Sequence, residues 1–421
     1  MSVLIIHRNP LEPFPYRQWL AGHDGPVVVL ADPSRFAPFG EAVPTGDHGY
    51  TRLELLEEFS DDAVLTRALE LAAEFGTTHV VAHNEADLYL AATVRERLGL
   101  SGAYPADVTP FRDKLVMKRL ASAAGVPVAE HAPATTPRQV RDFAAGHGFP
   151  VVLKDRSGYN AMGLQILRDD AELTAALDRT YPPGGTADLI VEKFVPGRMC
   201  HVDGLVVNGR IVVGWASQYQ YDLASFGTDH GPRIDLTLDP GDPLSGRLLE
   251  LTDRTLDALK APGGRLDTHA FHAEIFHTPD DRLVLCEVAA RPGGAKIREV
   301  AQVLFGFNLG AYATRAQVGL PLPLLAYAVA GGAPPQPARM AGQLLMMKRP
   351  GVVRRLPQPP EEPWVERFWL YAREHQVVPP ASGSSDFLLA LVGSAPTRAE
   401  CERRMRSLGE RLRSELYAGA A

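Results

Sequence analysis

The sequence has few cysteines and no long apolar segment. Its 421 residues include three cysteines, Cys200, Cys286 and Cys401, which are too far apart to form a metal-ligand motif. This scarcity argues against a disulfide framework and favours a reducing cytoplasm. The apolar run at the N-terminus is shorter than a signal-peptide core, and no stretch reaches the length that spans a bilayer. We therefore expect a cytoplasmic protein that has no membrane partner.

Excess positive charge and a dinucleotide fingerprint are also missing. The net charge is −7, which argues against general binding to nucleic acid. No G-x-G-x-x-G follows the first apolar run, so a dinucleotide cofactor is not indicated. The hydrophobic fraction of 45% and the charged fraction of 22% are typical of a globular protein, and the length predicts two or three domains.

The first hundred residues alternate between short apolar runs and helical patterns. Apolar runs at 3–6, 27–30 and 79–82 suit buried parallel strands, and helical spacing follows over 53–75 and 86–98. This order predicts a small doubly wound α/β unit. Ligands of such sheets bind beyond the carboxyl ends of the strands, where Glu85 stands.

The middle of the chain is rich in predicted strands and turns. A strand over 149–154 ends in Lys154 and is followed by a loop of small residues, an arrangement that can cover a phosphate chain. Asn208-Gly209 between two β-rich runs predicts a hairpin. The stretch 218–240 has little periodicity and is interpreted as a long functional loop.

A second hairpin is predicted over 267–297. Two alternating runs flank a turn-forming cluster, and a turn centred on Pro279 and Asp280 would place Ile275 opposite Val284. One face of this hairpin is apolar, as expected for a half-buried sheet.

The other face of this hairpin carries His272, Glu274 and Glu287, with the two glutamates in neighbouring diagonal positions. Two carboxylates on one face repel each other unless a cation lies between them. Mg²⁺ is typically held by one or two carboxylates together with substrate phosphates. Arg291 follows directly and provides an anion contact beside the Pro-Gly-Gly turn; solvated glutamates on an edge hairpin are the alternative.

The order of these features resembles the ATP-grasp superfamily of carboxylate–amine ligases, and within it the branch of L-amino-acid ligases that make dipeptides. The resemblance covers about residues 79 to 325. It rests on the segments NEADLYLAATVRERLGLSG, FRDKLVMKRLASAAGVPV, VEKFVPG, HVDG and the Glu…Glu-x-x-x-Arg hairpin that ends in PGG.

The resemblance implies an α/β (α+β) multidomain chain with an ATP-grasp fold. The expected parts are an N-terminal doubly wound pre-ATP-grasp domain (1–108), a lid subdomain with the phosphate loop and hinge strand (109–197), a catalytic subdomain with the Mg-binding hairpin (198–325) and a C-terminal α/β extension (326–421). It also implies ATP and Mg²⁺ as cofactors, with one or two ions for which Mn²⁺ can substitute.

Site residues follow from the same resemblance. Those expected to contact ATP are Lys114, Lys154, Ser157, Gly158, Met162, Gly163, Glu192, Lys193, Phe194, Val195 and Asp203. Glu274 and Glu287 would hold the metal, and Lys154 and Arg291 would be catalytic. Expected substrate contacts are Glu85, His201, Tyr219, His272, Arg291, Gly293 and Gly294. Specificity would lie in the 218–240 loop, with Tyr221, Asp229, His230 and Arg233 as further candidates.

Three positions depart from the family pattern. Ala289 stands where many members have an asparagine, which puts a second Mg²⁺ in question. Arg198 and Met199 follow the hinge glycine, where a glutamate often binds the ribose. Tyr159 and Asn160 stand in the phosphate loop, where glycine and serine are common.

The expected reaction joins a carboxylate to an amine, with amino acids as substrates, through an acyl phosphate and with release of ADP and phosphate. Two alternatives remain open at this point. The segment FLLALVGSAPTRAECERRM is similar to the C-terminal piece of biotin carboxylase-like members that activate bicarbonate. The departures at Ala289 and Met199 instead suit a non-catalytic ATP-binding regulator. Family members are often dimers, so the resemblance also allows a homodimer.

Overall fold

The computed structural model describes residues 1–225, 227–229 and 231–416. The chain begins with a four-stranded parallel sheet of order β3-β2-β1-β4. Its strands are β1 (Val3–His7), β2 (Val27–Ala31), β3 (Arg52–Leu55) and β4 (His79–Ala82), and its helices are α1 (Tyr16–Trp19), α2 (Asp61–Phe75) and α3 (Leu88–Leu98). Buried Val, Leu and Ile side chains from both faces of β1 and β2 form its core, as in doubly wound units.

One helix prediction in this sheet is wrong at its start. Helical spacing was predicted from residue 53, but Arg52–Leu55 pairs with β2 as an edge strand and the helix begins at Asp61. Asp61 and Asp62 occupy the first turn of α2, where carboxylates interact favourably with the helix dipole. The leucines at 53 and 55 therefore belong to a strand period rather than to the helix.

The second part of the fold is a four-stranded antiparallel sheet of order β5-β8-β6-β7, covered by helices on one side. Its strands are β5 (His131–Pro133), β6 (Val151–Asp155), β7 (Gln165–Leu167) and β8 (Leu189–Lys193). The helices of this region are α4 (Pro105–Arg112), α5 (Lys114–Ala123), α6 (Pro137–His147) and α7 (Asp170–Thr180).

The third part is an eight-stranded antiparallel sheet of order β13-β12-β9-β10-β11-β14-β18-β16. Its strands are β9 (Arg198–Val207), β10 (Arg210–Tyr219), β11 (Arg233–Thr237), β12 (His269–His277), β13 (Leu283–Ala289), β14 (Met340–Met347), β16 (Val365–Leu370) and β18 (Phe387–Ala395). The accompanying helices are α8 (Pro243–Ala258), α9 (Ile297–Phe305), α10 (Leu309–Gln317), α11 (Ala326–Val329) and α12 (Arg398–Leu416). Outside this sheet, β15 (Gly351–Val352) pairs with β17 (Val377–Val378). The sheet runs continuously from the central strands into the C-terminal residues, because β14 pairs with both β11 and β18.

The predicted long loop over 218–240 is shorter than expected. Strand β10 continues to Tyr219, and Arg233–Thr237 forms β11, which pairs with both β10 and β14. All five residues of β11 are buried, so the polar Arg233 and Asp235 hide the strand from a pattern-based prediction.

The two faces of the large sheet have different environments near β12. One face packs on α5 and α8 through a core that includes Phe271 and Ile275. The other face is covered by α9 and α10 where it carries Ala270, and further along the strand it meets the antiparallel sheet of β5 to β8 across a cleft. Among the described residues, no helix has the length and apolarity needed to cross a membrane.

Candidate active site

The two glutamates of the predicted hairpin are direct cross-strand partners. Glu274 on β12 pairs with Glu287 on β13, so the predicted diagonal arrangement is wrong. Ile275 lies opposite Leu285 rather than Val284, because the loop between the strands is longer than a two-residue turn and a bulge follows Glu274. Directly opposed residues have Cβ atoms about 4.5–5.5 Å apart, so the two carboxylates share one patch of the cleft.

A lysine at the start of α5 faces these carboxylates. The Lys114 Nζ lies 3.2 Å from Glu287 Oε2 and donates a hydrogen bond of 2.6 Å to the Gly158 carbonyl. Burial raises the pKa of Glu287, but the positive charges of Lys114 and Lys154 outweigh it and the net pKa is lowered. Glu287 is therefore ionised at neutral pH and available as an oxygen ligand.

A third carboxylate bridges two buried lysines in the same cleft. Glu192 on β8 lies 3.1 Å from Lys154 Nζ and 3.4 Å from Lys118 Nζ. Burial opposes the charge on each of these groups, yet their mutual attraction lowers the pKa of Glu192 and raises that of Lys154. Lys118 also donates to the Cys286 carbonyl at 3.0 Å, which ties α5 to β13.

The loop between β6 and β7 closes over the cleft. The Asn160 side chain donates to Ser385 Oγ at 3.1 Å, and the Asn160 carbonyl accepts from the Ser384 amide at 3.1 Å. The Ser157 carbonyl accepts from Arg112 at 2.9 Å. The loop is thus held by α4 on one side and by the C-terminal residues on the other.

A cavity of about 440 Å³ lies between the two antiparallel sheets, and we call it the hinge cavity. The predicted residues on its wall are Lys114, Lys154, Gly158, Met162, Glu192, Lys193, Phe194, Val195, Glu274 and Glu287. Ser157 and Gly163 flank the loop residues that line it, and the positive φ of 70° at Gly163 lets the chain turn back into β7. The sequence prediction therefore selected residues that fold onto one cavity.

A narrow cavity of about 130 Å³ adjoins the hinge cavity, and we call it the carboxylate cavity because Glu274 and Glu287 line both. Glu85 and Arg291 lie at its far side and form an ion pair through Glu85 Oε2 and Arg291 Nε. Arg112 contacts the other oxygen of Glu85 at 2.7 Å. Burial raises the pKa of Glu85, but the positive charges of Arg291 and Arg112 outweigh burial, and the net pKa is lowered.

A third cavity, of about 690 Å³, opens beyond Arg291 at the carboxyl ends of the parallel strands, and we call it the strand-end cavity. It shares Glu85, Arg291 and Gly294 with the carboxylate cavity, and Gly293 lies on its wall. Its wall also contains nine Phe, Tyr and Trp side chains and the buried Glu299, whose Oε2 has no hydrogen-bond partner among the described residues. The three cavities form a series from the hinge strand to the parallel sheet.

Two predicted contact residues lie behind the cavity wall. Asp203 is 0% exposed and His201 is 1% exposed, and their side chains are 2.5 Å apart at Asp203 Oδ2 and His201 Nδ1. The other Asp203 oxygen lies 2.9 Å from His272 Nδ1. Asp203 is therefore occupied by two imidazoles rather than directed at the hinge cavity.

The charges of this buried cluster stabilise one another. Burial lowers the pKa of His201, but Asp235 and Asp203 outweigh burial and raise it to about 10. The same competition, with Asp203 as the main partner, raises the pKa of His272 to about 9. Both imidazoles are therefore charged at neutral pH and serve as double donors.

The predicted specificity residues divide into two groups. Tyr219 and Tyr221 line the carboxylate cavity, and the Tyr219 hydroxyl lies 3.4 Å from Glu274 Oε1. Arg233 is buried, stacks over Tyr221 and donates to the Asp222 carbonyl at 2.9 Å, which gives it a structural contact. Asp229 accepts from the Gly231 amide at 2.9 Å. His230 lies outside the described residues.

The departures from the family pattern also lie at the cavities. Ala289 pairs with His272 and lines the carboxylate cavity, where its methyl group offers no ligand atom. Arg198 and Met199 line the hinge cavity at the start of β9. Tyr159 lines all three cavities, so this loop residue lies where they adjoin one another.

Sequence reasoning missed Lys118 and Arg112. Lys118 follows Lys114 by four residues, a spacing that places both lysines on one face of α5, and this signal was available in the sequence. Arg112 is the last residue of α4, and its contact with Glu85 joins segments 27 residues apart. Nothing in the local pattern points to that contact.

The donor set at the hairpin fits a magnesium ion. Two opposed carboxylates supply hard oxygen ligands, and Mg²⁺ completes its octahedral shell with water and phosphate oxygens. The Glu287 side chain is 34% exposed and that of Glu274 is 16% exposed, so both oxygens face the cleft rather than the core. Since Ala289 adds no ligand, the protein provides two carboxylates and leaves the remaining positions to other oxygens.

Comparison with known proteins finds a matching family model for one segment and a similar protein over most of the chain. Residues 113–209 match the family model described as "Carbamoyl-phosphate synthase L chain, ATP binding domain". The chain is 26% identical over 322 residues to an L-arginine-specific L-amino acid ligase of Bacillus subtilis, covering 73% of each protein.

Solved structures share the whole fold. The crystal structure of an L-amino acid ligase from Bacillus licheniformis matches with a TM-score of 0.76 at 18% identity, covering 97% of both chains. The biotin carboxylase domain of the Hydrogenobacter thermophilus 2-oxoglutarate carboxylase, solved with MgADP and bicarbonate, matches with a TM-score of 0.69 at 15% identity, covering 96% of this chain and 88% of that one. The resemblance predicted from sequence is confirmed, and the mixed α/β architecture is the ATP-grasp fold. In its ATP-binding segment, its curated relatives and its fold, the chain is similar to ATP-grasp carboxylate–amine ligases.

Proposed function

We propose that this enzyme joins the carboxylate of one amino acid to the amine of a second substrate, through an acyl phosphate and with release of ADP and phosphate. The observation that carries the proposal is the series of three cavities, in which Glu274 and Glu287 separate the lysine-lined hinge cavity from Arg291. The similarity to relatives named as L-amino acid ligases supports the substrate class.

The hinge cavity suits ATP. Lys114 and Lys154 would contact the phosphates, and the β6–β7 loop would cover them with its backbone amides. We assign adenine recognition to the backbone at Phe194 and Val195. The Lys193 and Phe194 amides already donate to the Glu130 and Pro150 carbonyls at 2.9 and 3.2 Å, so the Phe194 carbonyl and the Val195 backbone carry this assignment.

Glu274 and Glu287 would hold Mg²⁺, the metal that ATP-grasp ligases use with ATP. When bound, the ion would neutralise part of the negative charge on the triphosphate and polarise its terminal phosphorus. The ionised state of Glu287, maintained by Lys114 and Lys154, prepares this carboxylate for the task. Asp203 takes no part in nucleotide contact in this proposal, because its two oxygens are bound by imidazoles.

Carboxylate activation would occur at the carboxylate cavity. The amino-acid carboxylate attacks the γ-phosphorus, the bond to the β,γ-bridging oxygen breaks, and ADP leaves. Arg291 lies where it can contact the anionic carboxylate and the acyl phosphate, and electrostatic stabilisation of this kind is a large contribution to acyl and phosphoryl transfer. Glu85 and Arg112 orient Arg291 through the ion pairs that Glu85 makes with both.

Amide formation would follow from the strand-end cavity. The amine attacks the acyl carbon, the bond from that carbon to the phosphate oxygen breaks, and the departing phosphate takes up the proton that the nitrogen loses. An acyl phosphate is open to hydrolysis, so water must be excluded while the amine attacks. Tyr159, which lines all three cavities, and the contacts of Asn160 with Ser384 and Ser385 support the loop as the element that closes the site.

The size of the strand-end cavity favours amino acids over bicarbonate. A space of about 690 Å³ with nine Phe, Tyr and Trp side chains on its wall is far larger than a three-oxygen anion requires. Its buried Glu299 carboxylate suits an ammonium or another cationic group of a substrate. A carboxylase of the biotin carboxylase type remains testable, because labelled bicarbonate would then enter the product.

The test is a matrix of amino-acid pairs with Mg·ATP, in which phosphate release and product mass are measured together. We expect phosphate and ADP to form only with particular pairs, together with a product whose mass is that of the pair minus water. AMP and pyrophosphate, or incorporation of labelled bicarbonate, would contradict the proposal.

A matched pair of variants controls the metal assignment. Glu287→Gln should lower turnover about 100-fold or more, since it removes one of two carboxylates that face the transferred phosphate. Glu96→Gln changes an exposed glutamate on α3 and should leave turnover unchanged. Full activity of Glu287→Gln would show that this hairpin does not hold the metal.

A further inference from the structure

A connected series of polar side chains, which we call the polar network, runs behind the carboxylate cavity and starts at Glu274. Its Oε1 lies 3.5 Å from His272 Nε2, and His272 Nδ1 lies 2.9 Å from Asp203 Oδ1. His201 Nδ1 lies 2.5 Å from the second Asp203 oxygen, and His201 Nε2 lies 2.9 Å from Asp235 Oδ1. Each imidazole therefore bridges two carboxylates.

The polar network continues past Asp235 to the turn that carries Arg291. Gln343 on β14 donates to Asp235 Oδ2 at 3.0 Å, and its own Oε1 accepts the Lys296 amide hydrogen at 2.7 Å. Lys296 follows the Pro-Gly-Gly turn by two residues and directly precedes α9. One continuous set of contacts thus joins the metal-facing carboxylate to the backbone beside the strand-end cavity.

This set of groups is a costly choice for a sheet interior. His201, Asp203, Asp235 and Gln343 are each at most 3% exposed, and buried ionised groups destabilise a fold unless every one is paired. Apolar residues would stabilise this part of the sheet with less risk. The arrangement makes sense if its purpose is to orient a metal ligand, because connected hydrogen bonds rigidify their members and direct the ligand at the end of the network.

Packing reinforces the polar network at its Glu274 end. The Tyr219 ring stacks on His201 with centroids 4.6 Å apart, and its hydroxyl approaches the same Glu274 oxygen that His272 faces. A Cβ at Gly293 would lie 2.6 Å from Asp203 Oδ1, so the Pro-Gly-Gly turn packs directly against the polar network. Glu274 is consequently restrained from two sides.

We propose that His272, Asp203, His201 and Asp235 are positioning residues that aim the Glu274 carboxylate at the metal and hold it at a set distance from the Arg291 turn. The inference rests on the proposed function, since it takes Glu274 as a metal ligand. It predicts that a change at the remote Asp235, three side chains away, weakens metal binding without touching a ligand.

The test measures metal binding directly, without turnover. Mn²⁺ binding to the full-length protein in the presence of ADP is followed by the loss of the free-ion electron paramagnetic resonance signal. Asp235→Asn should weaken Mn²⁺ binding about 10-fold or more, as outer contacts of metal ligands do, and ADP binding without metal should stay within twofold. The Mg²⁺ concentration for half-maximal phosphate release should rise by a similar factor.

A neighbour on the same strand supplies the control. Thr237 is 2% exposed, lies on the same face of β11 and donates to the Ala341 carbonyl at 2.9 Å, outside the chain of contacts. Thr237→Val should leave Mn²⁺ binding unchanged even where it lowers the melting temperature. Should Asp235→Asn fail to unfold cooperatively, His201→Gln carries the same expectation.

Two results would overturn the inference. Mn²⁺ affinity within twofold of wild type in a folded Asp235→Asn protein would show that the polar network has a structural role only. A stoichiometric metal in the purified wild-type protein that is lost in the variant would show that His201, Asp203 and His272 ligate an ion themselves. Failure of the proposed function appears separately, as Mn²⁺·ADP binding by wild type without amino-acid-dependent phosphate release.

Discussion

Replacing Glu192 by glutamine tests how the lysines of the hinge cavity are held. The carboxylate of Glu192 lies within 3.4 Å of two ammonium groups, those of Lys118 and Lys154, and all three residues are at most 7% exposed. Glu192→Gln keeps the shape of the side chain and removes its charge. The variant therefore leaves two buried positive charges without the anion that separates them.

The magnitude follows from these distances. At an effective dielectric constant of about 20, each attraction amounts to about 5 kcal/mol, and the cost of burying the carboxylate offsets part of it. Removing one partner of a buried ion pair destabilises proteins by about 3–5 kcal/mol. We expect a loss of this size here. Lys118 keeps its bond to the Cys286 carbonyl, which prevents a larger effect.

Urea unfolding at pH 7, followed by circular dichroism, measures the loss. Glu130→Gln is the matched control, because Glu130 pairs with His147 at the surface and its side chain is 66% exposed. The control should change the free energy of unfolding by at most about 1 kcal/mol. A loss below about 1 kcal/mol for Glu192→Gln would refute the reasoning.

Nucleotide should partly compensate the Glu192 variant. If the phosphates of ATP approach Lys154, they supply the missing negative charge, and bound ligand stabilises the folded state according to its affinity. The rise in melting temperature on adding ATP should therefore be larger in Glu192→Gln than in wild type. An equal or smaller rise would separate Lys154 from the nucleotide site.

Two further predictions concern the buried cluster and the turn beside it. The pKa of His201 is raised from 6.5 to about 10, so its contribution to stability is fully present below pH 6.5 and is lost as pH rises toward 10. Urea unfolding across this range should show wild type losing at least about 2 kcal/mol more than His201→Gln. Parallel profiles of unfolding free energy against pH for the two proteins would contradict this prediction. Gly293→Ala should destabilise by about 1–3 kcal/mol, because a Cβ there would lie 2.6 Å from Asp203 Oδ1 and 2.7 Å from Ile297 Cδ1. Gly294→Ala, whose Cβ would have no atom within 4 Å, should stay within about 0.5 kcal/mol, and equal losses in thermal unfolding would show that the close approach is unimportant.

Much of the hinge cavity was predictable from local sequence patterns. Glu274 and Glu287 alternate with apolar residues, and a period of two is enough to place both on one face of a hairpin. Lys154 stands at the end of an apolar run, which predicts its place at the end of a strand. The roles assigned to these residues in binding ATP and Mg²⁺ remain predictions that the experiments above test.

The sequence alone determined the strand and helix periods, the parallel start of the chain and the family resemblance, because these depend on residues close together along the chain. Only the tertiary structure decided the direct pairing of Glu274 with Glu287, since a one-residue bulge changes register without changing the pattern. It also decided that Asp203 faces imidazoles instead of the cavity, because His272 and, beyond the neighbouring His201, Asp235 come from strands other than β9. Contacts between strands far apart in sequence leave no periodic trace, and the charge states they create depend on which groups are buried together.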